Sequence, residues 1–424
     1  MKTIVLIGAG KSATVLIDYL IAEAETNEWK FIIADSNRDL VLAKTRNSPF
    51  AEAVQLDVLN EKQRSKLIEK AHVVISMMPP ALHFLIAKDC VEYRKHLLTA
   101  SYLDDKMKSL QDEINDRKLL FLCEMGLDPG IDHMSAMKII DAVKAKNGKI
   151  ISFKSHCGGL IAPESDDNPW HYKISWNPRN IVMAGQSGAV YKENGETRAV
   201  KYADLFDVSN KIIYEGLNDL AFYPNRDSLS YIPTYKLPDA ATFIRTTLRH
   251  IDFFKGWNGI VHAGLTNETD AVDVTGLTFK KWSAPVLSFM NKDNEMMLKF
   301  LGLFDDVPVP AAAKTSADIL QFLVETKLKM QPADKDMIVM LHEFEYVVDG
   351  ENKSLKSCLV VKGEDSLRTA MAKTVGLPLG IAAKLILNGT LHLKGLHIPT
   401  AKEIYEPVLK ELGSAGIKFT ETAG

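Results

Sequence analysis

The N-terminal segment combines an apolar run, a glycine-rich loop and an amphipathic helix, in that order. The run Thr3–Ile7 is rich in β-branched residues and predicts a strand that leads into the pattern G-x-G-x-x-A at residues 8–13. Gly8 permits the tight turn, Gly10 lets a pyrophosphate approach the backbone, and Ala13 lets the next helix pack closely on the strand. This order of elements predicts a Rossmann-type dinucleotide-binding domain.

The second predicted strand, Phe31–Ala34, ends in Asp35. In a dinucleotide-binding domain a carboxylate at this position binds the adenosine ribose 2′-hydroxyl. It would repel a 2′-phosphate, and neither Ser36 nor Asn37 supplies a positive charge, although Arg38 would compensate if it folded back. The segment therefore favours NAD as the cofactor, with NADP as the alternative.

Strands and helices continue to alternate as far as residue 125. Further strands are expected at Ala53–Leu56, His72–Ile75, His96–Thr99 and Lys118–Leu122, which gives about six parallel strands in a doubly wound α/β sheet. Ligands of such sheets lie at the carboxyl ends of the strands, so the residues after each strand are candidate contacts. They are Asp57-Val58 for the adenine, Ser76-Met77 for the nicotinamide-side ribose and pyrophosphate, and Ala100-Ser101-Tyr102. Apolar packing would also explain the methionine.

A glycine- and proline-rich turn follows the last of these strands. Gly126, Pro129 and Gly130 surround Asp128, just before an apolar-periodic helix that begins near Ile131. A lone aspartate in such a turn is more often a turn-former than a catalyst. Its place at the end of a strand of a dinucleotide-binding sheet favours an acid/base role instead.

Length and composition are those of a globular enzyme. A chain of 424 residues exceeds one comfortable core, so two or three domains are expected. The formal net charge is −3 with acids and bases interspersed, which argues against nucleic-acid binding, and no long apolar run predicts a membrane span. The four cysteines lack a disulfide-framework spacing, which favours reduced thiols and a cytoplasmic location.

The second half of the chain has a more mixed pattern. We expect a strand at 149–156 that ends in a Cys157–Leu160 turn, an aromatic segment at 170–176 that either anchors a loop or walls a pocket, and hairpins at 190–200 and 336–361. A helical stretch is expected at 266–328. Later elements are helices at 367–375 and 378–387 broken at Gly376–Pro378, a helix at 401–412, and a strand at 416–420 that would return to the first domain.

Two arginines in this half are candidates for binding an anionic substrate. Arg226 follows a Pro-Asn turn, and Arg245 lies in a strand-like segment flanked by apolar and threonine residues. A guanidinium suits bidentate capture of a carboxylate. A surface ion pair is the ordinary alternative for each.

Taken with these motifs, the chain resembles saccharopine dehydrogenase of the L-glutamate-forming type, also called saccharopine reductase. The matching segments are Gly126–His133, Cys157–Leu160 with Ala162–Glu164, Tyr223–Ser228, the residues around Ile244-Arg245, and Ala372–Gly376. They occur in order over essentially the whole chain. The resemblance implies a Rossmann domain at 1–125 completed by 393–424, a mixed α/β substrate domain at 126–265 and 331–392, a helical insertion at 266–330, and a homodimer.

The resemblance also implies a reaction. The secondary amine of saccharopine is oxidised by NAD(P)+ to an imine, which water splits into L-glutamate and 2-aminoadipate 6-semialdehyde, or the reverse occurs. The implied catalytic residues are Asp128 as acid/base and Cys157 as a polar contact to water or the substrate nitrogen. Substrate contacts are implied for Ser101, Tyr102, Asp128, Cys157, Arg226, Arg245 and Thr246. Cofactor contacts are implied for Gly8, Gly10, Lys11, Ser12, Ala13, Asp35, Asp57, Val58, Ser76, Met77, Ala100, Ser101, Leu127, Asp128 and Trp176.

Several alternatives stay open at this point. Relatives in the same superfamily act on lysine or carboxynorspermidine, and fungal members carry an arginine after the second strand and use NADP. A non-catalytic dinucleotide sensor is a second alternative. Metal-dependent hydrolysis is a third, but its potential ligands lack the short paired spacings of zinc sites, so no metal is expected. These potential ligands are Cys123, His133, His156, Cys157 and His171.

Overall fold

The structure, a computed structural model, describes residues 1–207, 210–214 and 217–424. The strands are β1 Thr3–Ile7, β2 Lys30–Asp35, β3 Ala51–Gln55, β4 Val73–Ser76, β5 His96–Thr99, β6 Leu120–Leu122, β7 Lys149–Ile161, β8 Ala189–Glu193, β9 Glu196–Val200, β10 Lys211–Tyr214, β11 Leu217–Pro224, β12 Arg226–Asp227, β13 Thr242–His250, β14 Asp336–Val348, β15 Glu351–Lys362, β16 Gly395–His397 and β17 Thr420–Ala423. The helices are α1 Thr14–Asn27, α2 Arg38–Thr45, α3 Glu61–Ile68, α4 Pro80–Glu92, α5 Asp105–Lys108, α6 Gln111–Asp116, α7 Ile131–Lys144, α8 Pro178–Val182, α9 Tyr231–Thr234, α10 Ile251–His262, α11 Phe279–Trp282, α12 Glu295–Phe300, α13 Ser316–Lys327, α14 Ala370–Leu387 and α15 Lys402–Ser414.

The chain divides into two compact units. Unit 1 comprises Met1–Ala145 and Leu367–Lys418, and unit 2 comprises Lys146–Ser366 and Phe419–Gly424. These bounds differ from the domain limits expected from the sequence, because α7 and α14 belong to unit 1. Helix α15 also belongs to unit 1, where it was expected. The Tyr405 hydroxyl on α15 donates to Asp141 Oδ2 on α7 at 2.7 Å, which ties the C-terminal helix to the helix that follows the Asp128 turn.

Unit 1 contains a seven-stranded sheet in the order β16-β6-β5-β4-β1-β2-β3. Every neighbouring pair is parallel, so the sheet is the doubly wound arrangement that the sequence predicts, with β16 added beside β6. The inner strands are buried runs such as Thr3–Ile7, whereas the edge strand Ala51–Gln55 is partly exposed. The carboxyl ends of β1, β2, β4, β5 and β6 therefore share one edge of the sheet.

Helix α14 is continuous, so the predicted break at Gly376–Pro378 is wrong. Pro378 lies inside the helix, whose packing on α1 offsets the lost backbone hydrogen bond. A Cβ at Gly376 would lie 2.9 Å from Leu16 Cβ, and one at Gly380 would lie 2.6 Å from the Tyr19 ring, so these glycines let the helices approach closely. Among the described residues α14 alone is long and apolar enough to cross a membrane, but 72% of it is buried in the protein, as in a core helix.

Unit 2 is built on a mixed sheet that includes the path β10-β11-β13-β7-β14-β15-β17, with β8, β9 and β12 beside it. The hairpins β8–β9 and β14–β15 confirm the two predicted hairpins. The expected turn at Cys157–Leu160 is wrong, because β7 runs on through these residues to Ile161. A Cβ at Gly158 would lie 2.6 Å from Leu248 Cβ on β13, so this glycine serves strand packing rather than a turn.

Two further expectations for unit 2 are corrected. Residues 266–330 are not one helical stretch; they contain only the short helices α11 and α12, a 3₁₀ segment and α13, joined by irregular backbone. The C-terminal strand does not return to the first domain, since β17 pairs antiparallel with β15. The core of this region is aromatic: Trp170 is fully buried and its indole Nε1 donates to the Met297 carbonyl at 2.8 Å.

Candidate active site

The glycine-rich loop has the geometry of a phosphate-binding turn. Gly8 has φ of 101°, and a Cβ there would lie 2.9 Å from the Met77 carbonyl group, so only glycine fits. A Cβ at Gly10 would meet nothing within 4 Å, which leaves open space over the backbone. Lys11 and Ser12 form the 3₁₀ turn that opens α1, and Ala13 is fully buried against the sheet. The loop fits a pyrophosphate.

Asp35 lies at the end of β2 and faces this loop. Its Oδ2 accepts the Ala9 N–H at 2.8 Å and its Oδ1 accepts the Asn37 N–H at 2.9 Å. These two backbone bonds fix the carboxylate at the end of β2, beside the glycine-rich loop. Asp57 lies after β3, where its Oδ1 accepts the Leu59 N–H at 3.0 Å.

Lys44 on α2 is a residue that the sequence reasoning missed. Its Nζ donates to the Gly10 carbonyl at 2.6 Å, so a cation lies beside the glycine-rich loop. Burial lowers the pKa of Lys44 to about 8, although the carboxylates of Asp35 and Asp18 oppose that shift. The sequence could have indicated Lys44 only through its position on the helix that follows Asp35.

A second cluster lies where β4 and β5 end. His83, which points in from α4 and is 5% exposed, has Nδ1 2.7 Å from Ser76 Oγ and Nε2 2.7 Å from Ser101 Oγ. Thr99 Oγ1 lies 3.3 Å from the same Nε2. Burial lowers the pKa of His83 to about 4, with a smaller opposing effect of Asp104, so the ring is neutral near pH 7. Ser76 and Ser101 were expected at the site, but the histidine that joins them was not.

Asp128 lies on a tightly constrained turn after β6. Gly130 has φ of 147°, and a Cβ there would lie 2.1 Å from the Gly126 carbonyl oxygen, so this turn requires glycine. The side chain of Asp128 is half-buried and its Oδ1 accepts the Tyr102 hydroxyl proton at 3.1 Å. Leu127 beside it is 5% exposed. The structure thus brings Asp128 and Tyr102 together, as expected for an acid/base and a substrate contact at one place.

A buried acidic group beneath this turn was also missed from the sequence. Glu124 is 3% exposed; its Oε2 lies 2.7 Å from His133 Nε2, and its Oε1 accepts the Leu103 N–H at 3.0 Å. Asp132 Oδ1 accepts the Gly130 N–H at 2.6 Å. These bonds tie α7 to the loop after β5 and so fix the position of Asp128 relative to Tyr102.

In unit 2 the register separates two of the expected substrate contacts. Arg245 is paired with Ser155 and Thr247 with Cys157, so Arg245 and Cys157 lie on one face of the sheet. Thr246 lies on the other face, where it is fully buried and its Oγ1 is 2.7 Å from His156 Nδ1.

Arg245 and Arg226 differ in burial. Arg245 is 2% exposed and its guanidinium lies 4.4 Å from the centre of the Tyr231 ring, a cation–π distance, whereas Arg226 is exposed. Cys157 is buried in the sheet. Trp176 is half-buried and its Nε1 donates to the Tyr172 hydroxyl at 3.2 Å. The burial of Arg245 excludes the surface ion pair that is the ordinary alternative for this residue.

The potential metal ligands named from the sequence lie in separate surroundings. His133 contacts Glu124, His156 contacts Thr246, and Cys123 is packed in the unit 1 core. Among the described residues the group with ligand-like spacing is His171, His250 and Asp252 in unit 2, which includes only one of the five.

Comparison with known proteins places the chain in a family. Residues 4–122 match the family model described as the saccharopine dehydrogenase NADP binding domain, and residues 126–417 match the saccharopine dehydrogenase C-terminal domain. The chain belongs to the saccharopine dehydrogenase family. The first model covers the glycine-rich loop, Asp35 and the His83 cluster, and the second begins at the Asp128 turn.

Individual relatives agree with this assignment. The chain is 35% identical over 450 residues to bovine mitochondrial alpha-aminoadipic semialdehyde synthase, covering 99% of this chain and 47% of that one. It is 30% identical over 449 residues to saccharopine dehydrogenase [NADP(+), L-glutamate-forming] of Schizosaccharomyces pombe, covering 99% of each. The apo saccharopine dehydrogenase (L-Glu forming) of Saccharomyces cerevisiae superposes with a TM-score of 0.89 at 32% identity over the full length of both chains.

The two kinds of relative differ in length and in the cofactor that their names give. The chain spans about half the length of the animal relatives that it matches. The fungal relatives are named for NADP(+), and the matching N-terminal family model is also described as NADP-binding. A nicotinamide dinucleotide site in unit 1 follows from the family. The relatives' names point to NADP, whereas the carboxylate of Asp35 disfavours a 2′-phosphate.

Proposed function

We propose that this protein is an L-glutamate-forming saccharopine dehydrogenase, which oxidises the secondary amine of saccharopine to an imine that is hydrolysed to L-glutamate and 2-aminoadipate 6-semialdehyde, or catalyses the reverse. The observation that carries the proposal is Asp128, held on a rigid turn at the strand end with the Tyr102 hydroxyl 3.1 Å from its carboxylate. The full-length relationship to enzymes of that name supports it. A non-catalytic sensor would have no use for this pair.

The residues of the chain divide the work of the reaction. Asp128 takes the proton from the substrate nitrogen and later assists the attack of water on the imine, and Tyr102 orients its carboxylate. Cys157 is a polar contact to that water or nitrogen. A nicotinamide dinucleotide, which Gly8 and Gly10 would hold by its pyrophosphate, would supply the hydride acceptor for the carbon next to the nitrogen. The open approach over Gly10 fits the cofactor pyrophosphate at the helix start.

The cofactor we propose is NAD. Asp35 offers a carboxylate to a ribose 2′-hydroxyl, and a 2′-phosphate placed there would meet like charge. The Lys44 ammonium lies beside the loop, but it is held on the Gly10 carbonyl. The carboxylate is the stronger influence because it is fixed by two backbone N–H groups.

Saccharopine carries three carboxylates, so its site needs cationic groups. Arg245 and Arg226 are the proposed partners, and Arg245 is the stronger candidate because it is buried and its guanidinium contacts the Tyr231 ring. Thr246 is the weakest of the expected contacts, because it faces away from Arg245.

We also propose a cytoplasmic homodimer. The four buried free cysteines, Cys90, Cys123, Cys157 and Cys358, suit a reducing compartment.

The test is a spectrophotometric assay that follows the absorbance of the reduced nicotinamide cofactor as it forms. Saccharopine, lysine and carboxynorspermidine are each offered with NAD+ and with NADP+ in parallel. We expect the highest kcat/KM for saccharopine with NAD+. A higher value for lysine or carboxynorspermidine would reassign the substrate, and no turnover despite cofactor binding would favour the sensor.

A further inference from the structure

His83 joins two hydroxyls that come from different strand ends, and the mechanism above does not use it. Its Nδ1 lies 2.7 Å from the Oγ of Ser76, the last residue of β4, and its Nε2 lies 2.7 Å from Ser101 Oγ after β5. A neutral imidazole has one N–H donor and one acceptor nitrogen. One of the two hydroxyls must therefore donate to the ring, and the other must accept from it. Which nitrogen carries the proton therefore decides what Ser101 offers to a ligand.

The burial of the two serines selects the tautomer. Ser76 is fully buried, and among the described residues His83 Nδ1 is the partner of its hydroxyl. A buried hydroxyl proton without an acceptor is costly, so Ser76 donates to Nδ1 and the ring proton must lie on Nε2. Ser101 is half-buried, so its hydroxyl proton can be accepted by solvent or a ligand and does not need the imidazole as its acceptor. It accepts the Nε2 proton.

Thr99 is the competing group at the same nitrogen. Its Oγ1 is 3.3 Å from Nε2 and also accepts the Ser101 N–H at 3.3 Å. Both contacts are longer than the 2.7 Å contacts to the serines, so Thr99 takes only a minor share of the Nε2 proton.

We propose that His83 is a positioning residue that, as the Nε2–H tautomer, turns Ser101 into a hydrogen-bond donor aimed at an acceptor oxygen of the bound ligand. Ser101 Oγ accepts a hydrogen bond from His83, so the Ser101 O–H group is free to donate its own hydrogen bond to the ligand. The acceptor is either a carboxylate oxygen of the substrate or a ribose oxygen of the cofactor. The proposal rests on the proposed function, because it places Ser101 at the site described there.

Two substitutions distinguish the contribution of the imidazole Nδ1 from that of Nε2. His83→Gln puts an amide near the place of Nε2 and keeps a donor for Ser101, while His83→Asn puts one near Nδ1 and keeps only the contact to Ser76. We expect His83→Asn to lower kcat/KM for saccharopine by about 2- to 12-fold, the factor for one hydrogen bond, and His83→Gln to stay within about 2-fold of wild type. A rise confined to the KM for saccharopine identifies a substrate carboxylate; a rise confined to the KM for NAD identifies a cofactor ribose.

A control and an independent measurement complete the test. His96→Gln removes a structural contact, the Leu120 N–H bond to His96 Nδ1 at 2.9 Å, and should lower the melting temperature without changing either KM. In wild-type protein without ligand, ¹⁵N-imidazole NMR, with His83 assigned by difference from the variants, should show a proton on Nε2 and none on Nδ1 near pH 7. An Nδ1–H tautomer, or equal kinetic losses in His83→Asn and His83→Gln, would overturn the proposal. Absence of saccharopine turnover in wild type would instead overturn the function and leave the NMR result to decide the tautomer.

Discussion

Replacing Asp128 by asparagine separates a turn-forming role from an acid/base role. Asparagine has nearly the same size and keeps an oxygen that can accept the Tyr102 hydroxyl at 3.1 Å. Replacing the charged acceptor by a neutral one weakens that hydrogen bond by about 1 kcal/mol, which would change a rate constant by about 5-fold. An amide cannot take a proton, and general acid–base catalysis contributes about 10²–10⁴-fold, or about 2.7–5.5 kcal/mol of the barrier. The catalytic loss therefore exceeds anything that the hydrogen bond alone explains.

The assay is steady-state kinetics over a range of pH, together with thermal melts and NAD titration. We expect Asp128→Asn to fold and bind NAD like wild type, to lose about 10²–10⁴-fold in kcat, and to lose or shift the low-pH limb of its rate profile. Tyr102→Phe is the matched control, since it removes the same hydrogen bond but keeps the base, and it should retain the low-pH limb. Near-normal kcat in Asp128→Asn with an unchanged pH profile would refute the acid/base role and leave Asp128 as a turn-former.

Three further predictions concern the cofactor, the substrate and the fold. Asp35→Ala should raise the KM for NAD and relax discrimination against NADP, because Lys44 remains beside the loop; an unchanged cofactor preference in kcat/KM would mean that Asp35 does not reach the ribose. Arg245→Ala, and Arg226→Ala to a smaller extent, should raise the saccharopine KM by about one to two decades with little change in NAD affinity, and a change in melting temperature alone would make them structural. Gly158→Ala should lower the free energy of unfolding by about 1–3 kcal/mol in denaturant titrations, because its Cβ would lie 2.6 Å from Leu248, while Gly413→Ala, with nothing nearer than 3.8 Å, should not be destabilising.

The parts of the fold that the sequence predicts are those set by local pattern. The run Thr3–Ile7, the loop at 8–13 and Asp35 follow one another along the chain, and each has a physical requirement that few residue types meet. The turn around Asp128 is of the same kind, because Gly130 is the residue that its φ of 147° allows. Such features are visible without knowledge of distant contacts.

The parts that the sequence does not predict depend on contacts distant along the chain. Gly158 suggests a turn locally, yet its glycine is needed because Leu248 lies against it in the sheet. Pro378 suggests a helix break, yet packing of α14 on α1 sustains the helix. His83 and Glu124 have no short motif, since their partners are brought to them only by the fold. These supporting residues are therefore seen only in the structure.

The product balance of the reaction tests the proposed function most directly. Saccharopine is incubated with NAD+, and NADH, L-glutamate and 2-aminoadipate 6-semialdehyde are each quantified from the same sample over time. The account predicts that the three products appear in equal amounts and that Asp128→Asn slows all three together. Formation of NADH with lysine and 2-oxoglutarate in place of glutamate and the semialdehyde would contradict it, because the other carbon–nitrogen bond would then have been oxidised.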